Sequence, residues 1–238
     1  MDGFIAQFDA PVRRMPAAAT AIARRLLAAG RLPEAWAVVE HVEARQRDEA
    51  PVDWQEVRAE VLEALGQQEE ARRFRWACFA ATLQAAHLRT FLRRLTDFDD
   101  VEAEQRAMAH ALAFADVHQA LAFLIAWPDL RRASALVLGR AQALDGDRYE
   151  LLSPAAGAPE SRYPLAATIL RRSMIGFTLG AGRSSRYQHA ARHFQACRDA
   201  AMRVENFGAI SDHSDYVRAL RAAHGRKIVF WQAVTKLT

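Results

Sequence analysis

His189 and His193 stand four residues apart and Cys197 follows four later, a spacing that on one helix lines up three candidate metal ligands or a thiol beside a base. The angular arithmetic argues against both. At about 100° per residue the apolar stripe of this segment is Tyr187, Ala190, Ala191, Phe194 and Ala201, and the two histidines fall roughly 100 to 140° from its centre. A zinc metalloprotease helix also needs a glutamate after its first histidine, where this chain has Ala190. The two histidines therefore read as half-exposed helix residues. Cys197 has no third group to orient His193 as its base, so a small buried thiol is expected. Asp145, Asp147 and Glu150 cluster carboxylates but lack the distant bidentate glutamate of a calcium loop, and read as a solvated turn. Gly176, Gly180 and Gly182 follow a helix and not a strand, the wrong setting for a phosphate-binding glycine loop. No catalytic set, metal site or cofactor emerges, and the chain is expected not to be an enzyme.

Charge is the stronger signal. The chain carries a net +4, with thirty arginines and two lysines among its basic residues. Met1 to Glu150 sums to −4, whereas Leu151 to Thr238 holds thirteen basic and five acidic residues and sums to +8. Arg183, Arg186, Arg192, Arg203, Arg226 and Lys227 are the candidates for binding an anion or a nucleic acid, because clustered guanidinium groups neutralise phosphates and release counterions. The alternative is that this basic third docks on the acidic part of the same chain.

The elements that must position these residues follow from composition and spacing. Alanine fills 50 positions, whereas Val, Ile and Thr together fill 29, a balance that favours helix nearly throughout. Residues 19–47 read as a helical hairpin broken at Gly30, with Pro33 in the first turn of the second helix. Residues 53–86 repeat that plan, with Asp53 as N-cap and Gly66 at the turn. Gly30 to Ala35 aligns with Gly66 to Ala71 at an offset of 36 residues, near the roughly 34 of a tetratricopeptide repeat, and Ala115 to Ala120 gives a looser third copy. Glycine permits the turn, and alanine five residues on lets the helices approach. Three helices are expected over residues 101–143, broken near Asp116 and at Trp127-Pro128. Residues 145–164, with Gly146, Pro154, Gly157, Pro159 and Pro164, read as a long connection. Beyond it lie helices near 165–179, 185–204 and 212–224 and a tail to Thr238.

In the last of these helices His213, Val217, Leu220 and His224 share one stripe, and Gly225 is placed to take a left-handed cap. Arg226, Lys227, Phe230 and Trp231 then combine basic and aromatic groups, with Trp231 expected to anchor the tail to the core. The run Tyr187-Gln188-His189-Ala190-Ala191-Arg192-His193, then Tyr216 and Leu220, and finally His224-Gly225-Arg226-Lys227-Ile228-Val229-Phe230-Trp231, resembles the C-terminal signature of a family of uncharacterised bacterial helical proteins. In some relatives this type of region follows a SWIM zinc finger. The resemblance implies an all-helical scaffold in which Tyr187, His193, Tyr216, Leu220, His224, Phe230 and Trp231 form a structural signature, and it brings no reaction with it.

The expected architecture is therefore all-α: tetratricopeptide-like hairpins stacked as a short solenoid over 1–144, a connection over 145–164, and a basic C-terminal helical bundle over 165–238 that closes it. Two cysteines, Cys78 and Cys197, exclude a multi-cysteine zinc ribbon and fit a reducing compartment. No uncharged tract reaches the roughly 20 residues of a membrane span, and the opening residues lack the apolar core of a secretory signal. A cytoplasmic protein with no membrane partner is expected. Its function reads as a protein or peptide interaction scaffold, with nucleic-acid binding through the basic third as the alternative.

Overall fold

A computed structural model describes residues 2–42, 50–96 and 99–237. Among the described residues every regular element is helical. The helices are α1 (Asp2–Ile5), α2 (Ala10–Arg13), α3 (Pro16–Ala28), α4 (Leu32–Glu40), α5 (Val52–Ala64), α6 (Gln68–Thr82), α7 (Ala85–Leu92), α8 (Asp99–Ala113), α9 (Val117–Ala126), α10 (Leu130–Gly139), α11 (Tyr149–Gly157), α12 (Pro164–Gly180), α13 (Tyr187–Ala201), α14 (His213–His224) and α15 (Ile228–Lys236). The chain forms two compact units, Met1–Ala107 and Met108–Thr238, so the division falls inside α8 and not in the 145–164 stretch.

In the first unit α3 and α4 form the expected hairpin, and α5 packs on both. Gly30 (φ +70°) closes α3 with the bond pair of a Schellman turn: Arg31 N–H donates to Leu26 O at 3.0 Å and Gly30 N–H to Leu27 O at 3.0 Å. Gly66 repeats it between α5 and α6, with Gln67 N–H on Leu62 O and Gly66 N–H on Glu63 O, both at 2.9 Å. Ile22, Leu26, Val39, Trp54, Val57 and Val61 make the core beneath these turns. The expected N-cap Asp53 lies inside the first turn of α5, which starts one residue earlier after Pro51. The expected second helix of 53–86 ends at Thr82, because Leu83 turns left-handed and α7 begins at Ala85. The expected extension of α4 to residue 47 falls partly on residues 43–49, outside the described residues.

The alanine that follows each turn has a wider meaning than a repeat. It is the fourth residue of its helix and buried at Ala35, Ala71 and Ala120, and the same position holds buried Ala19, Ala133, Ala167 and Ala190. A methyl at that position lets an incoming helix lie close to its neighbour. The spacing thus marks the starts of helices in both units.

In the second unit α12 runs beside α11 and α13, and α13 packs on α15. The core joins Ile175 and Leu179 of α12, Tyr187 and Phe194 of α13, Leu220 of α14 and Phe230 of α15. Two expectations are corrected here. The long connection contains α11, which buries Leu152, Ala155 and Ala156 and carries Pro154 inside it. That proline removes one backbone donor, a cost of about 3 kcal/mol, which the burial of that apolar face offsets. The tail is the helix α15, and Gly225 before it is right-handed (φ −57°). Gly225 is needed for a different reason: a Cβ there would lie 2.7 Å from the Arg221 carbonyl oxygen.

Candidate functional site

The segment leading into α11 leaves Asp145 and Glu150 exposed, as expected of a solvated turn, but its backbone is fixed. Gly146 is buried against α12 so closely that a Cβ would lie 2.2 Å from Ser173 O. Asp145 N–H donates to His118 Nε2 at 2.9 Å, and Ser173 Oγ donates to Leu144 O at 3.2 Å. This anchorage sets Asp147 against Arg186, whose Nη1 donates to Asp147 Oδ1 at 2.7 Å. The Arg186 guanidinium lies 4.3 Å over the Tyr149 ring at the start of α11, a cation–π contact. A short 3-10 turn, Ser184–Arg186, then leads into α13.

Between α11, α12 and α13 these residues enclose a cavity of about 400 Å3. Tyr149 and Ser153 come from α11, and Met174 and Thr178 from α12. Ser185 and Arg186 come from the turn, and His189, Ala190, Arg192 and His193 from α13. Here the two histidines part company: His189 is exposed, whereas His193 is drawn into the wall. Burial, then the nearby Arg171 and His189, push the His193 imidazole down to about 4. It is therefore neutral at pH 7, free to donate from one ring nitrogen and accept at the other.

Behind that wall Arg171 Nη2 donates to Glu160 Oε2 at 2.7 Å, and Arg203 Nη2 reaches Glu160 Oε1 at 3.3 Å. The Arg171 hydrogen bond and charge hold the Glu160 carboxyl below its ordinary range. Cys197 is fully buried with its Sγ toward Thr168 O at 3.8 Å, and burial pushes its thiol up to about 12. Burial likewise raises the Cys78 thiol to about 11. Neither thiol has the electropositive, open setting of a nucleophile.

The six cations named from sequence thus divide. Arg186 and Arg192 line the cavity with the histidines, and Arg203 is held by Glu160. Arg183 and Arg226 are exposed and are not part of the lining. Lys227 places its Nζ 3.7 Å from where a Gly182 Cβ would stand, at the carbonyl end of α12 where the helix dipole favours a cation. In the C-terminal signature Phe230 is fully buried and meets Tyr187 and Phe194 edge-on. Trp231 is only half-buried; its Nε1 donates to His224 O at 3.0 Å and its ring lies 4.2 Å under the Arg221 guanidinium. Tyr216 stacks beneath Arg172 at 4.2 Å, and Leu220 is buried. Among the described residues no three or more His, Cys, Asp or Glu side chains come together as a metal site. No described helix is long and apolar enough to cross a membrane.

A family model described as a family of unknown function (DUF6880) matches residues 1–233. The chain belongs to that family. No curated protein and no solved structure matches it. The match spans the whole cavity, including Tyr149, Ser153, Met174 and Thr178, which sequence reasoning did not single out. The available signal was the apolar spacing of Leu152, Ala155 and Ala156, which places Tyr149 and Ser153 on a helix.

Proposed function

We propose that the protein is a helical interaction module that holds an acidic segment of a partner protein and performs no reaction itself. The observation that carries this reading is the free edge of α15. Ile228 and Val229 are 65% and 63% exposed. Ile228 lines a groove of about 610 Å3 whose charged residues are Arg221 and Lys236, with no carboxylate among the described lining residues. A segment that presents an apolar side chain flanked by carboxylates fits both the apolar pair and the cationic rim. On the same reading the hairpins of the first unit, turned at Gly30 and Gly66, act as a short tetratricopeptide-like array of paired helices. A nucleic-acid partner is less well served. Arg203 already binds Glu160, and Lys227 attends the end of α12.

The test compares the wild-type chain with Ile228→Asp/Val229→Asp in cross-linking followed by peptide mapping. Cross-links from α15 to an acidic partner segment, lost in the variant while its melting temperature is unchanged, support the reading. Equal cross-linking by both chains, or none from α15, overturns it.

A further inference from the structure

The cavity between α11, α12 and α13 lies apart from the α15 groove and has a different chemistry. Its donors converge from three helices and the turn before α13: the Arg186 and Arg192 side chains, the hydroxyls of Ser153, Ser185 and Thr178, and the imidazoles of His189 and His193. Thr178 is more than nine-tenths buried, and Arg186 is held in place from two sides by Asp147 and the Tyr149 ring. Among the lining residues none carries a carboxylate, and Asp147 offsets one of the two guanidinium charges from outside. Met174, Ala190 and the Tyr149 ring supply an apolar wall. A volume of about 400 Å3 suits a small organic molecule and not a polymer chain.

The placement of charge adds to this. Helices α4, α5, α6, α8, α11 and α14 carry an acidic residue in the first turn, as the helix dipole favours. Helix α13, like α3, α7, α9, α10, α12 and α15, has none there, and it opens on Arg186 and His189. Cations beside the positive end of a helix repel it, and a bound anion relieves both.

We propose that this cavity binds an organic phosphate monoester, its phosphate between Arg186, Arg192 and the hydroxyls, and its apolar or planar body against Met174 and Tyr149. A phosphate is favoured over a carboxylate because the donors surround a volume and do not form a single plane. A tetrahedral dianion offers three oxygens to them, whereas a carboxylate offers two in one plane. His193 fits the same picture as a neutral donor that adds a hydrogen bond without adding charge.

The test is calorimetric titration of the full chain with phenyl phosphate, inorganic phosphate and benzoate. Phenyl phosphate should bind at least about tenfold more tightly than either of the others, a difference of about 1.4 kcal/mol. Arg192→Gln and Ser153→Ala should each weaken phenyl phosphate binding, the first by about tenfold or more, with the unliganded Arg192→Gln chain melting no lower than wild type. Absence of binding at about 10 mM phenyl phosphate, which corresponds to almost no usable affinity, overturns the proposal. So does equal affinity for benzoate, equal affinity in Arg192→Gln, or a lower melting temperature of that variant without ligand, which would make Arg192 a structural residue.

Discussion

Two groups, one half-buried and one buried, show how single side chains set the behaviour of this protein with pH and mutation. His193 titrates near 4 when folded against 6.5 as its ordinary value, with Arg171 and His189 facing it and Arg186 and Arg192 lining the same cavity. Between these values the unfolded chain binds the extra proton, so stability rises with pH, is complete above about 6.5, and falls as pH drops toward 4. The contribution is at most about 3 kcal/mol and less for a part-exposed ring. His193→Gln should therefore narrow the gap between the urea midpoints at pH 7 and pH 5, and an unchanged gap would assign that acid sensitivity to other groups. The second group is Arg75, which is 1% exposed. Its Nη1 donates to Glu63, its Nε lies 3.6 Å from Glu56, and those carboxylates are shared with His87 at 3.1 Å and Arg94 at 2.6 Å. Glu63→Ala removes the hydrogen-bonded partner of a buried guanidinium and leaves it only Glu56 at 3.6 Å, and should cost about 3 kcal/mol or more. Arg75→Met leaves each carboxylate a second partner, His87 for Glu56 and Arg94 for Glu63, and should cost clearly less. Denaturant midpoints in the reverse order would show that the carboxylates, not the guanidinium, bear the burial cost.

At the scale of elements the glycines separate into three cases, two of them demanding glycine, that a sequence alone does not distinguish. Gly30 and Gly66 need a positive φ, whereas Gly146 needs empty space next to Ser173 and Phe177. Gly180 sits in α12 with nothing within 4 Å of a Cβ. Gly146→Ala should thus be severely destabilising, by more than about 3 kcal/mol, because the clash is with backbone. Gly180→Ala should stabilise by up to about 1 kcal/mol. Thermal melts that rank these two variants the other way would contradict the packing of the 144–148 segment on α12. The same contrast explains what was legible beforehand. The turns at Gly30 and Gly66 were readable because glycine followed by alanine at a helix start is a local signal, and α12 to α14 were readable from apolar stripes. Helix α11 was hidden because Pro154 and Gly157 signal breakage locally, while the burial that overrides them comes from α12. Of the cavity, Arg186, Arg192, His189 and His193 were visible by residue type, but their convergence with Tyr149, Met174 and Thr178 depends on a tertiary approach that Gly146 permits.

At the scale of the molecule the described residues place an apolar core in each unit, around Ile22, Trp54 and Val57 in the first and around Leu179, Phe194 and Phe230 in the second. Phe194 meets both Phe230 and Trp231 edge-on, but Phe230 also meets Tyr187 and is fully buried, so the C-terminal helix is held by Phe230 more than by the half-buried Trp231. Phe230→Ala removes a ring with no solvent exposure and should cost about 3 to 5 kcal/mol. Trp231→Ala keeps that ring in place and should cost less. Because cores that close separately open separately, the loss in Phe230→Ala should be confined to its own unit. Amide exchange should speed up along α12 to α15, while amides of α3, α5 and α6 keep their wild-type protection. Equal acceleration in both units would mean that the chain unfolds as one cooperative body, and the described helices would then share a single stability instead of two.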